Sequence, residues 1–141
     1  VARWPGVIPA GTVSDATICL TDLFATVADF VGATLPAGSA PDSVSFRSIL
    51  EGAAPGTQVR DATVHHSMDG TFAVRSGVWK LATALGTGGF TAPREVAVPE
   101  HGPAGTLFHL GDDPEEAHDV YLERPDEVAR LERVLAGVRA R

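Results

Sequence analysis

The sequence predicts an α+β fold in which a four-stranded antiparallel sheet is packed by a C-terminal helix. Two alternating segments flank the dipeptide Ser76-Gly77, and this arrangement predicts a β-hairpin. Two further strand-like segments lie before and after the hairpin, and an apolar stripe with helical spacing follows Pro125. The predicted strands span residues 62 to 67, 71 to 75, 78 to 83 and 106 to 110.

The chain is predicted to begin with a short strand and an amphipathic helix. Residues 1 to 4 should form a strand that ends at Pro5-Gly6, because proline and glycine interrupt strands. The helix that follows should have Thr21 as its N-cap and Gly32 as its C-terminal stop, with Asp22 supporting its N-terminus. Its apolar residues recur at helical spacing and are expected to form a buried stripe: Leu20, Leu23, Phe24, Val27, Phe30 and Val31. A linker at 36 to 41 and a short helical turn at 46 to 50 are predicted next.

The hairpin has a predicted register. If Ser76 and Gly77 form the turn, Val74 lies opposite Trp79. Because side chains alternate along a strand, one face should be apolar and the other positively charged. The predicted core face contains Phe72, Val74, Trp79 and Leu81, and the predicted charged face contains Ala73, Arg75, Val78 and Lys80.

The last helix is predicted to begin at Pro125, since proline suits the first helical position. Asp126 and Glu127 lie in its first turn, and Arg139 and Arg141 lie at its end, which agrees with the helix dipole. Its apolar stripe should pack across the sheet and contains Val128, Leu131, Val134, Leu135 and Val138.

Composition argues against several classes of function. With 141 residues, of which 44% are hydrophobic, the chain can bury a sizeable core. A net charge of −7 argues against a nucleic-acid partner, because phosphate binding requires clustered Lys and Arg. No apolar run approaches the roughly 20 residues that span a bilayer, so no membrane partner is expected, and Val1 is not followed by a signal-peptide pattern. The single cysteine excludes an internal disulfide.

Four polar residues are candidate substrate contacts. His65 and His66 are neighbours on a predicted strand, so they point to opposite faces, and at most one of them faces a pocket. For the same reason they are poorly placed to share a metal ion, and no metal site is predicted. Arg75 and Lys80 share a face and should lie diagonally, as an anion-contacting pair could. A purely structural role is the alternative for each residue, because exposed strand cations often bind nothing specific.

Residues 84 to 105 form a long loop rich in glycine and proline. Loops of this length are uncommon in compact domains unless they are functional or disordered. Gly86, Gly88 and Gly89 permit close approach of other groups, so we expect a rim over a pocket. The glycine spacing lacks the features of a phosphate-binding loop. The acidic residues further on lack the spacing of a calcium loop and predict a solvated turn; they are Asp112, Asp113, Glu115 and Glu116.

Four phrases of the sequence occur in an order that suggests a family. They are VARWPGVIPAGTVSD at 1 to 15, LTDLFATVADFVGATLP at 20 to 36, HHSMDGTFAVRSGVWKL at 65 to 81 and TLFHLGDDPEEAHDV at 106 to 120. Together they resemble the C-terminal region of the arylsulfatase family, with departures at Ala25, where Pro is common, and His118, where Asn is usual. The resemblance implies that residues 1 to 55 contribute the last strand, helix and linker of an α/β catalytic domain. Residues 56 to 141 would form a C-terminal antiparallel-sheet subdomain.

The resemblance also implies an activity. Members of this family, within the alkaline phosphatase superfamily, hydrolyse sulfuric esters with a formylglycine made from Cys or Ser in a Cys-x-Pro-x-Arg motif. They also use calcium or another divalent cation. Cys19 stands in CLTDL, with Thr21 where the motif needs Pro and Leu23 where it needs Arg, so no catalytic residue and no bound cofactor are expected in this segment. We expect the chain to be inactive alone, with the N-terminal catalytic domain of the same parent chain and a small sulfated substrate as its partners.

Two other classes of protein are alternatives to a sulfatase. A related phosphoester or phosphonate hydrolase could contain the same region, because the nucleophile that separates the two activities lies elsewhere. A non-catalytic binding module built on a four-stranded sheet is the other. The sequence upstream of Val1 would distinguish them. The resemblance is compatible with an exported parent enzyme but assigns no compartment.

Overall fold

The computed structural model describes residues 1–140 and divides the chain into two compact units, one comprising residues 1–61 and the other beginning at Ala62. The elements in chain order are α1 (Asp22–Phe30), α2 (Arg47–Leu50), β1 (Thr63–His66), β2 (Phe72–Ser76), β3 (Trp79–Ala82), β4 (Thr106–His109) and α3 (Pro125–Arg139). The predicted sheet and C-terminal helix are confirmed, and each strand lies within one residue of its predicted bounds.

The sheet of the second unit is an antiparallel meander in the order β1-β2-β3-β4. The predicted hairpin register is wrong by one position, because Ser76 pairs with Trp79 and the turn is Gly77-Val78. Gly77 has φ +59°, which suits the first central position of a type II′ turn. A β-carbon disfavours positive φ, so Gly77 is better suited than Ser76 to begin the turn.

The error in register leaves the predicted faces intact. Moving the turn by one residue changes each partner by two positions, so Val74 lies opposite Leu81 instead of Trp79. Side-chain direction repeats every two residues, and each strand residue therefore keeps its face. Val78 is the exception, because it lies in the turn instead of on the charged face.

The core of the second unit lies between the sheet and α3. Pro125 occupies the first turn of α3, as predicted, and the apolar stripe of that helix faces the sheet. Val74, Leu107 and Leu131 are completely buried. The buried cluster as a whole consists of Val74, Leu81, Leu107, Val128, Leu131 and Leu135.

In the first unit, α1 ends as the sequence predicts. Gly32 adopts φ +67° beyond the last turn, and its N–H donates to the Asp29 carbonyl at 3.2 Å. The N–H of Ala33 donates to the Ala28 carbonyl at 2.8 Å. These two bonds form a Schellman motif, in which glycine supplies the left-handed residue.

The predicted burial of the apolar stripe of α1 is wrong. Asp22, Thr26 and Ala28 are the buried residues of this helix. The physical reason is that Asp22 and Thr26 form hydrogen bonds with the segment at 44 to 46, which turns the polar side of α1 inward. Of the predicted stripe, Phe30 is half-buried, and the other residues, on the opposite side of α1 or flanking its ends, are exposed: Leu20, Leu23, Phe24, Val27 and Val31.

The predicted strand at residues 1 to 4 is also absent from the described residues. The Trp4 carbonyl instead accepts a hydrogen bond from the Ile8 N–H at 2.8 Å, and these residues form a turn. A strand requires a paired neighbour, and β1 to β4 are the strands of the sheet in the described chain.

The predicted helical turn after Phe46 is confirmed by α2. No helix within residues 1–140 has the length and apolar character needed to cross a membrane.

Candidate functional site

Three of the four predicted site residues share the sheet face that is opposite α3. His65 on β1 lies opposite Ala73, and Arg75 on β2 lies opposite Lys80 on β3. Arg75 and Lys80 are therefore direct cross-strand partners, not the diagonal pair that the sequence predicted. Since side chains alternate along each strand, His65, Arg75 and Lys80 point away from the core, and we call these three residues the open-face cluster.

Lys80 has a carboxylate partner from a distant part of the chain. Its Nζ donates to Oε1 and Oε2 of Glu116 at 2.5 Å and 2.7 Å. Glu116 has φ +57°, a left-handed backbone conformation that residues other than glycine seldom adopt. The predicted solvated acidic turn is thus only partly correct, because Glu116 is half-buried against Lys80. This pair holds the Lys80 ammonium group in a defined position.

The imidazole of His65 has a perturbed proton affinity. Burial lowers the pKa of His65 below its ordinary value, the positive charge of Lys80 lowers it further, and Glu116 opposes the shift. The neutral imidazole is therefore favoured near neutral pH. One nitrogen of a neutral imidazole donates a hydrogen bond and the other accepts one, a combination that suits a hydroxyl group.

Arg75 lies beside Lys80 with a backbone contact of its own. Its Nε donates to the Gly77 carbonyl at 3.2 Å, and its side chain is half-buried. Because a guanidinium has five N–H donors, this single bond leaves Arg75 well equipped to bind an anion.

His66 lies on the opposite face from His65. Its ring packs edge-on against Phe72, with the ring centroids 6.2 Å apart. Its Nδ1 lies 2.8 Å from the Ser67 carbonyl. These contacts tie His66 to the end of the sheet, and the structure does not bring it together with the open-face cluster.

A tight turn follows the two histidines. Oδ1 of Asp69 accepts hydrogen bonds from Ser67 Oγ at 2.5 Å and from the Thr71 N–H at 2.9 Å. The Ser67 hydroxyl is the main cause that lowers the pKa of Asp69, followed by the Thr71 N–H. Gly70 completes the turn with φ +89°.

The long glycine-rich loop docks on this turn. The Asp69 N–H donates to the Gly88 carbonyl at 3.0 Å, and the Gly88 N–H donates to the Arg94 carbonyl at 2.9 Å. Gly88 has φ +57°, and a β-carbon at this position would collide with the Asp69 carboxylate. Glycine is required by both the backbone conformation and the space. The loop therefore lies at the end of the sheet that bears the histidines, with Phe90 almost fully exposed.

Two other acidic residues of the turn at 112 to 116, Asp112 and Asp113, make local contacts. The Asp113 carboxylate accepts hydrogen bonds from the N–H groups of Ala117 at 3.0 Å and His118 at 2.8 Å, and these bonds lower its pKa. Asp112 pairs with His109 at 2.9 Å. Within residues 1–140, no three side chains of the types that bind metals converge as ligands would.

The sequence predicts only that Asp22 supports the N-terminus of α1, whereas in the structure its carboxylate is the centre of a buried polar cluster. Oδ2 of Asp22 accepts a hydrogen bond from the Cys19 N–H at 2.7 Å, and Oδ1 accepts one from the Val44 N–H at 2.9 Å. Arg60 forms an ion pair with the same carboxylate. The spacing of Asp22 and Thr26 could have indicated a polar side of α1, because residues four positions apart lie on the same side of a helix.

The chain is similar in sequence to two sulfatases. No family model matches the chain. The chain is 27% identical over 146 residues to an N-acetylgalactosamine-6-O-sulfatase from Bacteroides thetaiotaomicron, a match that covers 100% of the chain and 27% of that protein. It is 28% identical over 148 residues to arylsulfatase G from Rattus norvegicus, covering 98% of the chain and 27% of that protein.

A solved structure gives the same result for the fold. A crystal structure of a sulfatase from a Pseudoalteromonas species superimposes with a TM-score of 0.77 and 23% identity, covering 99% of the chain and 29% of that protein. The fold is therefore that of a segment of this sulfatase structure. The chain is homologous to the sulfatases, and it spans about 27% of the length of the curated relatives that it matches. The resemblance to a C-terminal segment of an arylsulfatase-like protein is confirmed, whereas the domain boundary at residue 55 stays a prediction.

Proposed function

We propose that the chain acts as the C-terminal segment of an arylsulfatase-like sulfuric ester hydrolase and forms part of the wall of its substrate pocket. The observation that supports this proposal is the open-face cluster, in which His65, Arg75 and Lys80 share one face of the sheet. Both curated relatives are named as sulfatases, and one is named for a sulfated sugar. A small sulfated substrate is the ligand that fits these positive and hydrogen-bonding groups best.

The bond-breaking chemistry is proposed to lie on the N-terminal catalytic domain of the same parent chain. Cys19 does not fit the formylglycine position, because Thr21 and Leu23 replace the proline and arginine of the motif. Its N–H is bonded to the buried carboxylate of Asp22. The described residues do not fit a site for a divalent cation either. We therefore assign no catalytic step to this chain and propose that calcium, or another divalent cation, and the formylglycine belong to the rest of the enzyme.

The open-face cluster is proposed to contact the part of the substrate that is not transferred. Arg75 would attract an anionic group, and Glu116 would hold Lys80 beside it. The neutral imidazole of His65 would exchange hydrogen bonds with a hydroxyl group of the alcohol. The docked loop would form the neighbouring rim through its exposed Phe90. Contacts of this kind discriminate between esters more than they accelerate the chemical step.

The two histidines provide a matched test in the complete enzyme. We expect His65→Ala to change the ratio of kcat/KM between two sulfate esters with different alcohols by about 10-fold, the effect of one lost polar contact. His66→Ala is the control, since its contacts with Phe72 and Ser67 make it structural. We expect it to lower the yield of folded enzyme and to leave the ratio unchanged. An unchanged ratio for His65→Ala would reject the role of this face in substrate binding.

A substrate panel tests the activity itself. The complete enzyme should hydrolyse aryl and sugar sulfates faster than the phosphate and phosphonate esters of the same alcohols. The reverse preference would favour a related phosphoester or phosphonate hydrolase. Binding without turnover of any ester would favour a non-catalytic module.

A further inference from the structure

One side of α1 is an uninterrupted apolar surface that the first unit leaves exposed. Leu23, Phe24 and Val27 lie on one side of α1, and Leu20 and Val31 flank the two ends of the helix. Leu23, Phe24 and Val27 are 50%, 54% and 58% exposed. Contiguous exposed apolar patches are typical of interaction surfaces, whereas isolated exposed apolar residues are not. We call this surface the α1 stripe; it consists of Leu20, Leu23, Phe24, Val27 and Val31.

The exposure of the α1 stripe is a built-in feature of the unit. On the opposite side of the helix, the Asp22 carboxylate is bonded to the Cys19 N–H, the Val44 N–H and the Arg60 guanidinium. Thr26 Oγ1 accepts a hydrogen bond from the Phe46 N–H at 3.1 Å. Rotating α1 to bury the stripe would break all of these bonds and remove the hydrogen-bond acceptors of the Val44 and Phe46 N–H groups, which is strongly unfavourable.

We infer that the α1 stripe is the docking surface for the remainder of the sulfatase polypeptide. This inference rests on the proposed function. The chain spans 27% of its curated relatives, so about three quarters of a sulfatase lies outside the matched segment and is long enough to cover the stripe. The five residues of the stripe are all uncharged and aliphatic or aromatic, so the surface that covers them is apolar. Phe24, near the middle of the stripe, should be its most deeply buried contact.

Oxidative footprinting tests this inference without a mutation. Hydroxyl radicals should modify Phe24 and Val27 readily in the purified 141-residue chain, because both are exposed. In the complete polypeptide that the gene encodes, we expect their oxidation rates to fall about fivefold or more, as side chains that become buried are shielded. Leu122, which is 66% exposed and lies outside the first unit, is the internal reference and should change little.

The possible outcomes separate the docking surface from the activity. Equal oxidation of Phe24 in both proteins would overturn the inference. Protection that appears in the 141-residue chain alone as its concentration rises would identify a second copy as the occupant, and would also overturn it. Turnover of a sulfate ester is measured on the same sample of complete polypeptide. Protection of Phe24 without turnover would support the docking surface and reject the proposed activity. Turnover without protection of Phe24 would support the activity and reject the docking surface.

Discussion

The two units of this chain differ in the polarity of the side chains that they bury. The second unit encloses aliphatic residues such as Leu81, Leu107 and Leu131 between its sheet and α3. The first unit encloses the polar Asp22 and Thr26 beside Phe46 and exposes the α1 stripe. An apolar stripe therefore indicates that a helix has a side to bury, but it does not show whether the covering surface belongs to the same unit.

The difference has energetic consequences. Each buried leucine of the second unit stabilises that unit by about 1.5–3 kcal/mol relative to an exposed one. The first unit depends on hydrogen bonds to a buried carboxylate, and such a group is tolerated only while all of its partners are present. The stability of the second unit should therefore fall most when a buried apolar side chain is made smaller. The stability of the first unit should fall most when the buried carboxylate is removed.

The largest expected effect is at Asp22. Asp22→Ala should reduce the free energy of unfolding of the first unit by about 3–5 kcal/mol, because it leaves the largely buried Arg60 without its carboxylate. Asp29→Ala is the control on the same helix, since Asp29 pairs with Arg47 at the surface and should cost less than about 1 kcal/mol. Urea denaturation followed by amide exchange of α1 measures both losses. Similar losses would mean that the polar interior does not stabilise the unit.

A matched pair of leucine substitutions compares the units directly. Leu81→Ala should cost about 3 kcal/mol, because it removes a side chain that is 1% exposed. Leu23→Ala should cost less than about 0.5 kcal/mol in the 141-residue chain, because Leu23 is 50% exposed. Amide exchange in β3 and α1 reports each unit separately. A loss at Leu23 as large as that at Leu81 would contradict the exposure of the α1 stripe.

The parts of the fold that the sequence predicts are those that local patterns specify. The four strands and α3 follow from alternation, helical spacing and the proline at position 125. The hairpin register was wrong because either Ser76-Gly77 or Gly77-Val78 can satisfy the turn signal, and only the positive φ of Gly77 decides between them. The side of α1 that faces inward could not be predicted, since it depends on bonds to residues some 20 positions away.

In the candidate site, too, local patterns predict the strand faces but not the contacts between residues that are distant in sequence. Alternation correctly predicts that His65 and His66 lie on opposite faces. Glu116 could not be assigned to Lys80, because 36 residues separate them and no local pattern connects them. The docking of Gly88 on the turn at Asp69 was likewise beyond prediction, because no local pattern connects the two segments.

The smallest expected effect concerns the ionisable groups of the second unit, which lie on an open face and not in an interior. Since Lys80 lowers the pKa of His65 and Glu116 raises it, Lys80→Met should move this pKa upward and Glu116→Gln should move it further down. NMR titration of the His65 ring protons measures both shifts, with His118, which is 83% exposed, as the reference. Unchanged titration in both variants would mean that the cluster is not electrostatically coupled.

The same shift should make the stability of the second unit depend weakly on pH. His65 has a lower pKa in the folded state than its ordinary value of 6.5, so the unfolded chain binds the proton first as pH falls. Above pH 6.5, the titration of His65 therefore does not change the free energy of unfolding. As pH falls from 6.5 to the pKa of the folded state, it lowers that free energy. His65→Gln should remove this component of the slope between pH 7 and the onset of carboxylate titration. If the wild-type and His65→Gln chains lose stability in parallel over that range, the imidazole is as solvated in the folded chain as in the unfolded one, and the open-face cluster offers His65 no special environment.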